Sequence, residues 1–397
     1  MKAYAVAASM IRFGKYPKRS AAALGREVVI NLLRDASLEA NRVDAVYVGR
    51  SFSGALDGQI AVPGQVALHG TNIHDVPVYN FDNACASTPS ALSIAAQSIR
   101  SGAVDVAVVL GMDKLYDPQR KRSMKALFGA MDVDAMAWMG QAIDEDPNVG
   151  SIFMDHYYAR IARKYMADTG ATERDFARVA VKNRSHATRN SFAQYRTPLS
   201  EEEVLGSPIV ADPLRTLMCS PLTDGAAALL VCSERARAML RLPAVEIAAT
   251  VVLSGRPVKD TSVPPVLTRA SARAFEQAEV GPGDLDLVEV HDASAVAELL
   301  ATEDIGIASP GEGLKLLRDG SSAYGGSIPV NVSGGLLSRG HPGAATGASQ
   351  LVELVWQLQG RAEGRQVEGA KVGLAASSGG LVGEEPGATV VTILKRA

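Results

Sequence analysis

One cysteine and two histidines, far apart in the chain, each stand in a setting suited to chemistry. Cys85 lies in FDNACASTPSAL, at the expected end of a strand and just before a helix whose first turn accepts Pro89. A thiol at a helix N-terminus feels the positive end of the dipole, so a lowered pKa is expected there. Its small neighbours Ala84, Ala86 and Ser87 leave room for a substrate. His341 sits in NVSGGLLSRGHPGAATG, residues 331–347, where glycines let backbone come close to a ligand. A histidine fixed in such a loop suits the general base of a distant thiol. His291, in VEVHDAS, follows an apolar run at the expected C-terminal edge of an α/β sheet, where ligands usually bind. Beside it, Asp292 and Glu289 either orient the ring or cap the next helix. A second glycine-rich turn, AASSGGLVGEEPG (375–387), offers amides for an oxyanion hole.

Each feature has a plainer reading. Cys85 alone reads more commonly as a buried core thiol, either histidine as a ring satisfied inside a turn, and 375–387 as a link between core strands. Nucleotide binding is a weak reading, because the glycine-rich loops lack both G-x-G-x-x-G and the P-loop lysine. His291 and His341 with Asp292 show no metal-ligand spacing, and no metal is expected.

The elements that must position these residues form a doubled pattern. VDAVYVGRS (43–51) and VDVAVVLGMDK (104–114) are short β-branched runs suited to strands buried on both faces. LDLVEVHDAS (285–294), KVGLAASSGG (371–380) and ATVVTIL (388–394) repeat the style. Between them, 86–101 and 344–359 carry apolar residues at helical spacing, each followed by glycine. Each half therefore reads as strand, glycine-rich turn, buried helix, strand. The segment 113–210 differs, being rich in tyrosine and charge, with Thr172-Glu173-Arg174 as a helix start. It reads as helices inserted over one half, the usual place for a substrate-covering lobe. The expected division is 1–240 with that insertion, then 241–397.

Composition bounds the class. At 47% apolar and 21% charged residues the 397-residue chain is ordinary globular material. A formal charge of -3 leaves no basic footprint for nucleic acid or a membrane surface. Three scattered cysteines form no C-x-x-C pair, which excludes a disulfide framework and fits a cytoplasmic protein. The opening MKAYAVAASMI reads as a first buried strand, Ala3 to Ala8, because Arg12, Lys15, Lys18 and Arg19 follow where a cleavage site would be wanted. No run approaches the roughly 18 apolar residues of a membrane span.

From the opening strand to ATVVTIL the chain resembles the thiolase superfamily, in particular the sterol-carrier-protein-type branch. Cys85 in NACAS matches the family's acyl-accepting cysteine, and His341 in GHPGAATG the histidine that activates it. His291 in HDAS stands where this branch places HDCF, and SPLTDGAAALLVCS (220–233) resembles the stretch closing the N-terminal half. The resemblance implies an α/β fold of two pseudo-repeated βαβ halves in a five-layered α/β/α/β/α sandwich with an inserted loop domain. It implies CoA-dependent acyl transfer, making or cleaving a C–C bond through an acyl-cysteine. Catalytic Cys85, His291 and His341 and oxyanion-hole amides of Cys85, Gly379 and Gly380 follow from it. So do CoA or acyl-CoA as substrate with no permanently bound cofactor, a homodimer or homotetramer, and a small OB-fold partner. Cys219 and Cys232 become ordinary core residues.

The departures are as informative. Most thiolases carry a second cysteine as acid/base, in a C-x-G turn near the C-terminus or in HDCF. Here those positions read Ser377 and Ala293, and serine is a poor proton shuttle near neutral pH. Ala344 also stands where the family usually has glycine. His291 as the base, a carboxylate such as Asp292 or Glu384, a retro-aldolase or ketosynthase-like reaction, and a catalytically weak scaffold subunit all remain open.

Overall fold

The computed structural model describes residues 1–146, 154–256 and 262–397. The apolar runs become β1 (Ala3–Met10), β2 (Ala45–Gly49), β3 (Val78–Phe81) and β4 (Val106–Lys114). A small hairpin, β5 (Ile209–Ala211) and β6 (Leu214–Arg215), precedes β7 (Asp224–Ser233) and β8 (Val245–Ser254). The last three are β9 (Leu287–Glu289), β10 (Val372–Gly379) and β11 (Ala388–Arg396). Nine of them join in the order β3-β2-β4-β7-β1-β8-β11-β10-β9.

That order is a repeat. From β1 outward, β7 and β4 pair antiparallel and β2 parallel; from β8 outward, β11 and β10 pair antiparallel and β9 parallel. The two halves meet at β1 and β8 through just two register pairs, Tyr4↔Glu246 and Ala5↔Val245. Helix α1 (Ala21–Asp35) covers the outer face of the first half. Helices α2 (Ser87–Arg100) and α9 (Ala345–Leu358) lie together between the halves, and α7 (Val266–Ala278) with α8 (Ala295–Ile305) covers the second. The result is the expected five-layered α/β/α/β/α sandwich.

Glycine and alanine make the middle layer possible. All 14 residues of α9 are buried. A Cβ on Gly347 would sit 2.3 Å from Pro89 Cγ of α2, and one on Gly111 of β4 would sit 2.7 Å from the Ala348 Cβ. Close-packed interiors accept no such overlap, so these positions hold the two halves at a fixed separation. Between β4 and β7 lie α3 (Arg120–Phe128), α4 (Ala137–Glu145), α5 (Arg160–Thr169) and α6 (Glu173–Ala187). Thr172 caps α6 as expected, exchanging hydrogen bonds with Asp175. Two differences from expectation stand out. The strand expected over 287–290 forms and ends one residue sooner, at Glu289, where the chain leaves the sheet to place His291, and β7 and β8 complete the two halves from segments not read as strands.

Candidate active site

Cys85 sits in the turn between β3 and α2. Ala84 before it is left-handed (φ 49°), a conformation costing an alanine about 1–3 kcal/mol that the surroundings must impose. They do so through Ser87 and Asn83. Ser87 Oγ accepts the Asn83 N–H (2.8 Å) and donates to the Ala84 carbonyl (2.6 Å), while Asn83 Nδ2 donates to Ser90 Oγ (2.9 Å).

His341 arrives from the second half. Gly340 (φ 118°) lets its loop turn, and the His341 amide donates to Thr223 Oγ1 (3.1 Å). Its Nε2 lies 3.4 Å from Cys85 Sγ, and its Nδ1 lies 2.9 Å from Thr346 Oγ1 in the first turn of α9. The His291 ring meets the His341 ring edge-on, with centroids 5.1 Å apart and planes at 83°. The tip of β10 completes the site. A Cβ on Gly379 would sit 3.0 Å from Cys85 N and 2.0 Å from the Asn83 carbonyl oxygen, and Gly380 lines the cavity beside it. Thus Cys85, His291, His341, Gly379 and Gly380 converge from four distant segments.

The carboxylates do otherwise. Asp292 turns away from His291 and accepts the Leu336 and Leu337 amides (2.7 and 3.3 Å) and Asn183 Nδ2 (2.8 Å). Glu289 pairs with Arg339 (3.0 Å) and accepts from Ser333 Oγ (2.6 Å), both charges fully buried. Neither orients the His291 ring nor caps the next helix. Both instead clamp the loop that carries His341. Glu384 is exposed and 3.6 Å from Arg160, outside the cavity lining. Asp113, unsuspected from sequence, braces the two halves. Its carboxylate accepts the Phe52, Ser53 and Ala344 amides (3.2, 2.7 and 3.0 Å). Burial pushes it up to about 6 against those hydrogen bonds. An aspartate ending an apolar strand was the signal available for it.

Burial also sets the protonation states. It raises the Cys85 thiol far above its ordinary value, helped by the charges of Asp113 and Asp82. The helix N-terminus therefore does not make a resting thiolate, contrary to the expectation from the dipole. Burial lowers His291 to about 4 and His341 well below its ordinary value, the latter also through His291 and Arg339. Thiol and both rings are neutral at pH 7.

These residues face a cavity of about 900 Å³. Ala293 and Ser378 line it, as do Met124, Leu127, Met131 and Met139 from α3, α4 and the link between them. Ser377 does not, its hydroxyl donating to Gln350 Oε1. Cys232 is buried in β7, but Cys219 is no ordinary core residue. It is part-exposed, lines the same cavity, and bridges Ser294 across an antiparallel pair.

Comparison with known proteins gives the family. Residues 3–235 match the family model "Thiolase, N-terminal domain" and residues 258–396 match "Thiolase C-terminal domain-like". The chain is 34% identical to the acetyl-CoA acetyltransferase of Methanothermobacter thermautotrophicus, over 95% of this chain and 96% of the relative. It is 33% identical to benzoylsuccinyl-CoA thiolase subunit BbsB of Thauera aromatica (92% and 91%) and 31% to human sterol carrier protein 2 (99% and 72%). A solved Ltp2-ChsH2(DUF35) aldolase superposes with a TM-score of 0.79 at 23% identity, over 98% of this chain and 97% of that one, a likeness of fold.

Proposed function

The chain belongs to the thiolase family, and from that premise we propose that it transfers acyl groups between CoA and carbon through an acyl-Cys85 intermediate. The observation that carries this is the 3.4 Å approach of His341 Nε2 to Cys85 Sγ inside a cavity. His341 takes the thiol proton as Sγ attacks the thioester carbonyl. The new C–S bond places negative charge on the carbonyl oxygen, which the amides of Cys85 and of Gly379 or Gly380 receive. Losing one such donor typically costs about 10²–10³ in rate. Collapse breaks the bond to the CoA sulfur, which takes the proton back from His341. His341 Nδ1 lies 2.9 Å from Thr346 Oγ1, and in the tautomer that donates Nδ1–H to that hydroxyl Nε2 is free to accept.

The second half-reaction needs a proton moved at the substrate α-carbon. His291, edge-on to His341 and lining the cavity, is the group we assign to it. A second reading, retro-aldol or ketosynthase-like cleavage, is favoured by the lack of a thiol at Ala293 and Ser377. We extend the proposal to a homodimer or homotetramer, a cytoplasmic setting and a small OB-fold partner. The dimer is supported by β3, an edge strand with Tyr79 and Asn80 exposed. No helix among the described residues is long and apolar enough to cross a membrane. The test is intact-protein and peptide mass spectrometry after adding acyl-CoA. An acyl adduct on Cys85 is expected, and its absence with every thioester tried overturns the proposal. Thiolysis of a 3-ketoacyl-CoA by free CoA then separates the two readings.

A further inference from the structure

Cys85 Sγ, a ring nitrogen of His291 and a ring nitrogen of His341 all lie within 4.8 Å of one another. One thiol and two imidazoles are the donor set that suits zinc and its neighbours, and among the described residues no carboxylate oxygen joins them. Bonds of about 2.0–2.3 Å in a tetrahedron place ligand atoms about 3.3–3.8 Å apart. The Sγ–Nε2 separation, 3.4 Å, already has that length. The widest separation must close by about 1 Å, within reach of side-chain torsions on the way to a tetrahedral edge.

Two further observations point the same way. Thr346 Oγ1 holds His341 Nδ1 and so fixes the ring with Nε2 presented, the outer-partner arrangement common to ligating histidines. Nδ1 of His291 is buried with no hydrogen-bond partner among the described residues, so that ring can turn without breaking a bond there. All three side chains line the cavity, which gives an ion an entry path and leaves its fourth position to water or a substrate sulfur.

We propose that Cys85, His291 and His341 form a three-ligand site for a thiophilic divalent cation of the zinc class, and that its occupancy reversibly blocks acylation. Binding exchanges the thiol proton for the metal: the S–H bond breaks, an S–metal bond forms, and one proton leaves to solvent. No redox step is involved. The ion is an inhibitor competing for the nucleophile rather than a resident cofactor. The blocking of acylation rests on the acyl-Cys85 reading; the binding of the ion does not.

Cobalt(II) is the probe for binding, with the full-length protein and no acyl-CoA present. One ion per chain is expected, with a near-ultraviolet sulfur-to-cobalt charge-transfer band, four-coordinate visible bands, and release of one proton. Cys85→Ala abolishes the charge-transfer band. His291→Asn weakens the affinity at least about tenfold, a loss that even an outer partner of a ligand produces. Cys219→Ser retains the band. Far-ultraviolet circular dichroism confirms that each variant is folded. A band that survives Cys85→Ala, an affinity unchanged in His291→Asn, or no charge-transfer band in the parent overturns the site. Zinc then prevents formation of the acyl adduct, and EDTA restores it. Zinc that binds with full acylation remaining overturns the inhibition alone, whereas a protein that binds zinc but never acylates overturns the acyl-Cys85 reading and keeps the site.

Discussion

Replacing Gly379 by alanine tests the site at its tightest point. The change adds one methyl group, and because φ at Gly379 lies outside the left-handed region, alanine fits its backbone without strain. Space alone is therefore probed. The new Cβ would lie 2.0 Å from the Asn83 carbonyl oxygen, 2.8 Å from Ala86 N and 3.0 Å from Cys85 N. All three neighbours are backbone atoms, so no side chain can swing aside. Relief requires the 83–86 turn to move away from the β10 tip by about 1 Å, a misplacement that costs roughly 10²-fold in rate. Losing an oxyanion donor in the same step carries a similar penalty. A drop in single-turnover acylation of about 10²-fold or more is expected, with about 1–3 kcal/mol of stability lost to overpacking. The assay is rapid-quench mass spectrometry of acyl-Cys85 formation. Gly283→Ala is the control, since a Cβ there meets nothing within 4 Å. A folded Gly379→Ala protein acylating within threefold of the parent would refute the reasoning.

Three other outcomes follow from the same geometry. Arg339→Leu leaves Glu289 buried and unpaired, so urea denaturation should show about 3–5 kcal/mol lost, and a loss under 1 kcal/mol counts against the clamp. His291 is held near 4 by burial, so below pH 6.5 the unfolded chain takes up a proton that the folded one refuses, and stability falls as pH drops toward 4. His291→Asn should remove up to about 1.4 kcal/mol per pH unit of that slope; since Asp113 contributes oppositely in both proteins, an unchanged difference between them is the negative result. Ala293→Cys puts a thiol on the cavity wall and should raise 3-ketoacyl-CoA thiolysis, whereas Ser377→Cys, directed at Gln350, should not; equal effects would discard the placement.

Much of this arrangement is legible in the chain because local chemistry and spatial order coincide. Cys85 and Gly379 sit where a strand gives way to small residues, His341 in a glycine-rich loop just before a buried helix, and such junctions in an α/β fold gather at one edge of the sheet. The doubled strand–helix–strand pattern likewise exposes the repeat. Strands β7 and β8 differ in how legible they are. Alanine-rich DGAAALLVCS of β7 reads as a motif, not as a strand, because it lacks strong β-branched character, whereas β8, VEIAATVVLS, does carry the β-branched residues and the alternation of a strand. The roles of Asp292 and Glu289 are illegible because their partners, Asn183 and residues 333–339, lie far away in sequence and only the fold brings them together. Cys219 is invisible for a related reason: only a bridge to Ser294, distant in sequence, brings it to the cavity.

Neutrality of the resting site reconciles a deeply buried nucleophile with catalysis. Burial raises the thiol and lowers the imidazoles, so the Cys85 thiolate–His341 imidazolium pair is disfavoured in the empty cavity. A pre-formed thiolate would attack any electrophile that reached it and would oxidise readily. In the proposed acylation, a thioester carbonyl lies against the Cys85 and Gly379 backbone, and the charge leaving sulfur passes to an oxygen met by fixed amides. Those dipoles need no reorganisation at the moment of reaction, and in a water-poor cavity they act more strongly than in solvent. The same desolvation that holds the empty site inert therefore strengthens the donors that substrate alone can use. On this view the elements that brace the turn, Ala84 held left-handed and Asp113 joining the two halves, matter more to rate than a lowered thiol pKa would.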